Sequence, residues 1–305
     1  MITFLINPAS SSGSGEKVWQ QVEEVLKSRN VEYEAIRLSI PGEAALHARS
    51  LTSDGKEHTL IVVGGDGTIN ECISGISHFD RCIFGCIPNG SGNDFVRGMK
   101  LVKDPKEAVE AILSPKKIRS IHIGLVSNSE KTARFAVSSG IGYDAAVCYE
   151  ATRSRMKTIL NRIHLGKLVY TLTALRMLIK MKPVELRLIA DDKKLLTFKR
   201  AYFVAAMNNR YEGGGYMFCP EADPEDDMLD LMIAEGIPKP LVMLSMPLAM
   251  KGWHTRIKGI HILRCRKAVL TADSKAHVHT DGEHFDFCRK ITWTMTKETL
   301  RVISG

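Results

Sequence analysis

Gly64-Gly65-Asp66-Gly67-Thr68 stands between a short apolar run and a stretch with helical spacing. Three glycines let backbone N–H groups approach phosphate oxygens, and a helix starting there adds a favourable partial charge. Asp66 in the middle would repel phosphate unless Mg²⁺ lay between them, and magnesium is held by one or two carboxylates with phosphates and waters. The plain alternative is a tight turn with a surface aspartate. Two further Gly-rich turns weigh against it. Asn89-Gly90-Ser91-Gly92-Asn93-Asp94 offers N–H groups, the Ser91 hydroxyl and the Asp94 carboxylate, and Asn7 to Gly15 is rich in Ser and Gly. Each alone is a common turn. Three at the carboxyl ends of strands in one sheet mark a ligand crevice. None fits the GxxxxGK[ST] or GxGxxG patterns, so a P-loop NTPase and a Rossmann dehydrogenase lose ground. Near the C-terminus, Asp281-Gly282-Glu283 ends the run Ala276–Thr280. Phosphoryl transfer to a hydroxyl needs a carboxylate to orient the acceptor and take its proton late. An acidic pair at a strand end can supply that, although alone it is a turn.

The elements that must carry these turns alternate along the first 125 residues. Ile2–Ile6, Tyr33–Leu38, Thr59–Val63 and Ile83–Ile87 are strand-like, and Glu16–Ser28, Pro41 onward, Ile69 onward and Pro105–Leu113 have helical spacing. Alternating β and α elements with Gly-rich turns after the strands indicate a parallel sheet covered on both faces, a doubly wound nucleotide-binding architecture. Beyond residue 125 strand-like runs dominate: Arg134–Ser138, Val184–Ala190, Ala201–Met207, Leu229–Ala234, Gly259–Leu263, Ala268–Thr271 and Val278–Thr280. Asp191-Asp192 reads as a hairpin turn, and His164–Met181 and Pro238–Met250 as inserted helices. The fold class is therefore α/β, with a β-rich antiparallel second domain. The expected boundaries are residues 1–125 and 126–290, with 291–305 returning to the first domain.

The chain of 305 residues is long enough for two cores. With 44% hydrophobic and 25% charged residues, large-scale disorder is not expected. Seven cysteines without a CxxC pair argue against a disulfide framework or zinc site and for a reducing cytoplasm. The apolar N-terminus is too short for a signal peptide, and nothing approaches eighteen uninterrupted apolar residues. The net charge of +8 is uneven. Residues 151–182 hold eight Lys/Arg and residues 236–272 seven, with no acid in either stretch, so the rest of the chain is net −7. Basic surface confined to part of a molecule suits an anionic partner, nucleic acid or a phospholipid layer, or else is a solvated face. With 7% aromatics and no stacking motif, nucleic acid ranks last.

Taken together, NPASSSG, GGDGTINE, IPNGSGNDF, GGGYMFCPEA with DDMLD, and DGE resemble, in this order, the diacylglycerol-kinase catalytic family, which includes bacterial lipid kinases and the sphingosine and ceramide kinases. Leu165-Gly166-Lys167-Leu168-Val169-Tyr170 is similar to that family's Leu-Gly-Lys-x-x-Tyr helix. GGDGT alone is shared with NAD kinases, which resemble the first domain. The resemblance implies an ATP- and Mg²⁺-dependent lipid kinase, with diacylglycerol or a related lipid as acceptor. It implies that Asn7, Pro8, Ala9, Ser10 and Ser11 hold ATP with Gly64, Gly65, Asp66, Gly67, Thr68, Ile69, Asn70 and Glu71, and that Ser91, Asn93 and Asp94 lie beside them. Asp66 would hold the Mg²⁺ of Mg-ATP through water, with Asp94 in the same network. Asp281 and Glu283 match the positions of the proton acceptor, with Asp281 the first choice. A second, structural Mg²⁺ would sit on the Asp226 carboxylate and the carbonyls of Asp223 and Met228. Family members often form homodimers.

Three positions depart from the family pattern. Asp226-Asp227 replaces Asp-Gly at the structural metal, His122 replaces an aspartate of the Asp94 network, and Leu38-Ser39 stands where a threonine near the adenosine is usual. The stretch 151–182 also has a wide apolar face with a basic rim, which reads either as a core helix with snorkelling lysines or as a surface for an anionic membrane. The expectation is a cytoplasmic protein peripherally bound at that surface, with an apolar slot for the lipid tail between the domains near Met217, Phe218 and the helices at 164–181 and 238–250. Two other readings stand beside it: a kinase of a soluble acceptor such as NAD, and a nucleotide-sensing module that has lost activity.

Overall fold

The computed structural model describes residues 1–153, 166–193 and 195–304. Within it the chain forms two compact units, residues 1–123 with 297–305, and residues 124–296.

In the first unit β1 (Ile2–Ile6), β2 (Tyr33–Arg37), β3 (His58–Gly64) and β4 (Cys82–Pro88) pair in parallel in the order β2-β1-β3-β4. Both faces are covered, so β1 and β3 read as nearly unbroken apolar runs rather than alternating ones. On one face Phe4, Ile6, Ile61 and Val63 pack against Trp19, Val22 and Leu26 of α2 (Gly15–Ser28) and Val109 of α6 (Pro105–Leu113). The other strand residues, Leu5, Leu60 and Val62, are equally buried. Elsewhere in this unit α3 (Glu43–Thr52) packs on α4 (Asp66–Gly75). A short turn, α1 (Ser10–Gly13), follows β1, and α5 (Asp94–Met99) follows β4. The sheet is not wholly parallel. Leu300–Ile303 (β15) lies beside β4 in parallel, and β5 (Ile118–Ile121) closes the edge antiparallel to β15.

The second unit is built from antiparallel pairs: β6 (Gly124–Ser127), β7 (Thr132–Phe135), β8 (Ser138–Gly142), β9 (Val184–Ala190), β10 (Leu195–Met207), β11 (Leu229–Glu235), β12 (Ile260–Cys265), β13 (Lys267–Thr280) and β14 (Glu283–Met295). The long strands β10 and β13 each pair with β9 along one half and with β8 along the other. The path β8-β10-β9-β13 therefore closes on itself around Leu188, Val204, Leu231, Leu270 and Trp293. Two expected strands, Ala268–Thr271 and Val278–Thr280, are one strand with a register shift between Thr271 and Ala276. The expected strand Arg134–Ser138 divides between β7 and β8. Residues 291–303 divide too: Ile291–Met295 stays in the second unit as part of β14, and the return to the first begins at Lys297. Asp191 and Asp192, at φ 49° and 55°, turn the chain between β9 and β10, a left-handed pair suited to a tight hairpin.

Helices α7 (Tyr143–Arg153), α8 (Gly166–Lys180) and α9 (Lys239–Ala249) belong to this unit. Leu178 of α8 and Val242 of α9 bury against Phe203, Met207 and Met232. Arg155, Lys157, Arg162, Leu165 and the apolar positions Ile159 and Ile163 fall outside the described residues, as do the side chains of Arg153, Lys167, Leu168, Val169, Tyr170 and Leu172.

Candidate active site

The three Gly-rich turns follow β1, β3 and β4, three neighbouring parallel strands, so they emerge at one edge of the sheet. Their cohesion comes from backbone and amide groups. Asn7 donates from Nδ2 to Thr68 Oγ1 at 2.9 Å and accepts the Ala9 N–H at 3.1 Å. Asn89 joins the outer turns: its Nδ2 donates to Ser10 Oγ at 2.8 Å, and its Oδ1 accepts from Ser14 Oγ at 3.0 Å. The second and third turns meet at two glycines. A Cβ on Gly90 would lie 2.8 Å from Gly65 Cα, and a Cβ on Gly65 would lie 3.1 Å from Gly90 Cα. Neither turn tolerates a side chain there without moving the other. Asn93, held at φ 52°, closes the third turn by bonding Gly90 through both its amide atoms, each at 2.9 Å.

Gly65 is the N-cap of α4, and Asp66, Gly67 and Thr68 form its first turn. First-turn N–H groups of a helix have no intrahelical acceptor and attract anions. Asp66 Oδ1 accepts the Phe95 N–H at 3.3 Å. Burial pushes the Asp66 carboxyl up, while the N–H groups of Phe95, Asn93 and Asp94 pull it back. A partly buried carboxylate held only by backbone donors fits Mg²⁺, whose charge would replace the missing solvation. Asp94 is 7% exposed and pairs with Arg97 Nη1 at 2.9 Å, so its charge is already met within its own helix.

Not every expected nucleotide contact points to the ligand edge. Ile69 is 1% exposed and its N–H bonds the Gly65 carbonyl at 3.1 Å, so this side chain belongs to the core. Glu71 accepts the Gly42 N–H at 2.9 Å and tethers the loop before α3. Ser91 is exposed, Ser11 lies in the left-handed region at φ 46°, and Pro8 and Ala9 form the turn after β1. His122 lies just past the end of β5 and Leu38 is buried.

In the second unit the acidic tip Asp281-Gly282-Glu283 is the hairpin between β13 and β14. The Asp281 carboxylate is a fastening. Its Oδ2 accepts the Ala136 N–H at 2.8 Å, its Oδ1 accepts those of Val137 and Ser138 at 2.9 and 2.8 Å, and its own N–H bonds the Ser138 carbonyl. Glu283 is exposed at the start of β14. Behind the tip lies a buried group that sequence reading missed. His279 is fully buried, with Nε2 3.2 Å from Asp144 Oδ2 and 3.4 Å from Glu212 Oε1. Burial opposes charge on this ring, yet the two carboxylates outweigh it and hold the imidazole above its ordinary value. The Gly282 nitrogen lies 3.2 Å from Nδ1 on one side of the ring, and Nε2 faces the two carboxylates on the other. Among the described residues these three are the group spaced for a metal.

The expected structural magnesium site is also differently filled. Asp226 Oδ2 pairs with the guanidinium of Arg264, its Oδ1 accepts the Met228 N–H at 2.9 Å, and the Asp223 carbonyl accepts the Asp226 N–H at 3.2 Å. Asp227 takes Arg266 bidentately, at 2.6 and 3.0 Å. The Asp226 carboxylate, the one charged ligand expected there, is thus engaged by arginine and by the backbone, so in this loop a guanidinium stands where a second Mg²⁺ was expected. Asp230 beside it is 2% exposed, and burial pushes its carboxyl up to about 6, against Arg264 and with help from Asp226 and Glu221. A pocket of about 400 Å³ next to Asp230 is lined by Lys251, Trp253, Arg256 and Ile262 and contains none of the expected site residues.

Residues 1–126 match the family described as "Diacylglycerol kinase catalytic domain", and residues 136–303 match "YegS C-terminal NAD kinase beta sandwich-like domain". A Bacillus subtilis (strain 168) protein named as a candidate lipid kinase, YtlR, is 29% identical over 286 residues, 92% of each chain. A crystal structure from Bacillus anthracis str. Sterne, named as a candidate diacylglycerol kinase, superposes with TM-score 0.78 at 18% identity, covering 100% of this chain and 95% of that one. An NAD kinase from Archaeoglobus fulgidus in complex with ATP superposes with TM-score 0.56 at 14% identity, covering 100% and 94%. At these identities the two structures establish the fold alone.

Proposed function

Because the chain belongs to the diacylglycerol-kinase family and is a lipid kinase, we propose that it transfers the γ-phosphoryl group of ATP, with Mg²⁺, to the hydroxyl of diacylglycerol or a closely related lipid. The observation that carries the nucleotide half is the meeting of three backbone-lined turns at one sheet edge, with Asp66 at the start of α4. Mg²⁺, when bound, neutralises charge on the phosphates during transfer. Asp66 would hold that ion, and the first-turn N–H groups of α4 would orient the phosphates. Asp94, paired with Arg97, acts at one remove by fixing the loop whose N–H groups bind Asp66.

For the acceptor, the second unit offers its acidic tip. The lipid hydroxyl oxygen bonds to the γ-phosphorus, the bond from phosphorus to the ADP oxygen breaks, and the hydroxyl proton passes to a carboxylate of the tip. The three backbone hydrogen bonds of Asp281 make its task the fixing of that tip, and Glu283, the exposed carboxylate, takes the proton. This reverses the order of preference that family resemblance implies.

The test is transfer of labelled γ-phosphate from Mg-ATP to mixed micelles of total lipid and, separately, to NAD. Label in the organic phase, lost in Asp66→Asn, supports the proposal, and chromatography of that product identifies the acceptor. Label on NAD instead overturns the lipid assignment in favour of a soluble acceptor, the activity in the name of the ATP-bound structural neighbour.

A further inference from the structure

Fourteen large apolar side chains stand exposed among the described residues, and seven of them fall on two adjoining segments of the second unit. Met243, Leu244 and Leu248 lie on α9, Met250 and Trp253 follow it, and Leu175 and Ile179 lie on α8. The two helices are tied where Lys239 Nζ donates to the Ile179 carbonyl at 2.6 Å. Helix α9 is apolar nearly all round. Val242, Ser245 and Ala249 face the core, while Met243, Leu244 and Leu248 occupy the opposite face with nothing over them among the described residues. A helix apolar on every side is expected only where every side meets an apolar medium. The uncovered side therefore calls for one.

Charge identifies that medium. Neither α8 nor the stretch from Lys239 to Arg256 contains an acid. Arg176 and Lys180 are exposed beside Leu175 and Ile179, and Lys251 lies over the ring of Trp253 at 5.0 Å. Other cations of the basic stretch are already committed: Arg264, Arg266 and Lys267 pair with Asp226, Asp227 and Asp192. The free positive charge thus rims the apolar patch. An apolar face with a cationic rim and an edge tryptophan is the arrangement that seats a segment in the interface of an anionic bilayer.

We infer that the outer faces of α8 and α9, with Met250 and Trp253, insert into the headgroup layer of an anionic membrane. The inference rests on the lipid-kinase reading only for its purpose, since a bilayer lipid must be met at a bilayer.

The wild-type protein offers a direct probe. Of its three tryptophans, Trp19 and Trp293 are fully buried and Trp253 is 53% exposed. Vesicles of phosphatidylcholine with phosphatidylglycerol should shift its emission to the blue, and brominated acyl chains should quench it. Vesicles of phosphatidylcholine alone should do so roughly tenfold less effectively at equal lipid, because the cationic rim finds no partner. Met243→Ser with Leu244→Ser should weaken vesicle binding at least roughly tenfold while turnover on detergent-dispersed short-chain lipid is kept. Unquenched emission with vesicles, or equal binding by the double variant, overturns the inference. So does a protein that is dimeric in solution and becomes monomeric in the double variant with vesicle binding unchanged, which would assign the patch to a second copy. Insertion without phosphorylation of any lipid would instead overturn the functional reading and leave the docking surface standing.

Discussion

Asp66 in the first unit and Asp226 in the second both sit in turns that begin or end a strand, and both were expected to serve magnesium. Asp66 is held by the backbone N–H of Phe95 at the start of a helix, so its charge stays available to an ion that arrives with a ligand. Asp226 faces Arg264, and its neighbour Asp227 faces Arg266, so the charge of that loop is met from within the chain. The contrast extends to the units. The turn-bearing edge of the first is made of glycines, backbone N–H groups and uncharged amide and hydroxyl side chains, which reach from one turn to the next across 61 residues from Asn7 to Thr68 and 75 from Ser14 to Asn89. In the second, carboxylates meet charged or titratable side chains instead, Asp226 meeting Arg264 and Asp144 meeting His279.

The acidic tip tests this contrast most severely, because there backbone fastening and side-chain chemistry lie two residues apart. Glu283→Gln should lower kcat roughly 10²- to 10⁴-fold with an unchanged melting temperature. Asp281→Asn should lower activity through loss of the tip's fastening and be accompanied by a fall in melting temperature, since hydrogen bonds to a charged acceptor contribute about 1.5–3 kcal/mol each. An active Glu283→Gln protein, with Asp281→Asn inactive but fully stable, would exchange the two roles.

Gly90→Ala probes the backbone side of the comparison. One methyl placed 2.8 Å from Gly65 Cα must part the two turns. At a strain of about 1–3 kcal/mol, ATP affinity measured by calorimetry should fall roughly tenfold or more, with the second unit's melting unaffected. Unchanged affinity would mean that the turns need not touch to hold nucleotide.

Arg264→Met asks whether arginine stands in for a metal. Without nucleotide, the melting temperature of the wild type should not respond to Mg²⁺. The variant should melt a few degrees lower and recover as Mg²⁺ is added, the loss being on the order of 1 kcal/mol for a pair with partial solvent access. A wild type already stabilised by Mg²⁺ under these conditions would return the second ion to the loop.

The smallest effect belongs to Asp230. Its carboxyl is raised from 3.8 to about 6 by burial, so between those values the folded chain keeps a proton that the unfolded chain has released. Stability from this group is therefore present at low pH and lost as pH rises through about 6. Asp230→Asn should flatten that decline, by up to about 1 kcal/mol at pH 7, in melting curves taken across pH 4 to 8. Parallel wild-type and variant curves would remove Asp230 from the pH response.

The same contrast decides how much could be read from the sequence. The three turns announce themselves because backbone sites require local glycine, and the strands beneath them carry unbroken apolar runs. Asp281 and Glu283 stand out in the sequence as an acidic pair at a strand end and match the family's proton acceptor, but neither signal shows that one fastens and the other is exposed. Helix α7 was missed because its apolar residues are small alanines within a short span after β8. Strand β13 looked like two, because Asp273-Ser274-Lys275 resembles a loop where the ladder only shifts register. Arg264 and Asp226 gave no hint of each other, since partners across sheet strands are set by register and not by spacing in sequence.

The position of β15 bears on how the protein comes to be made. Residues 300–303 fill the place between β4 and β5, strands that leave the ribosome some two hundred residues earlier. The first unit therefore cannot complete its sheet until β15 has been made. It must wait, with the edges of β4 and β5 open, while the whole second unit is translated. Open strand edges invite pairing with other chains. The nascent first unit is accordingly the stage at which a chaperone has most to protect, and a ribosome stalled before residue 300 would leave it unfinished.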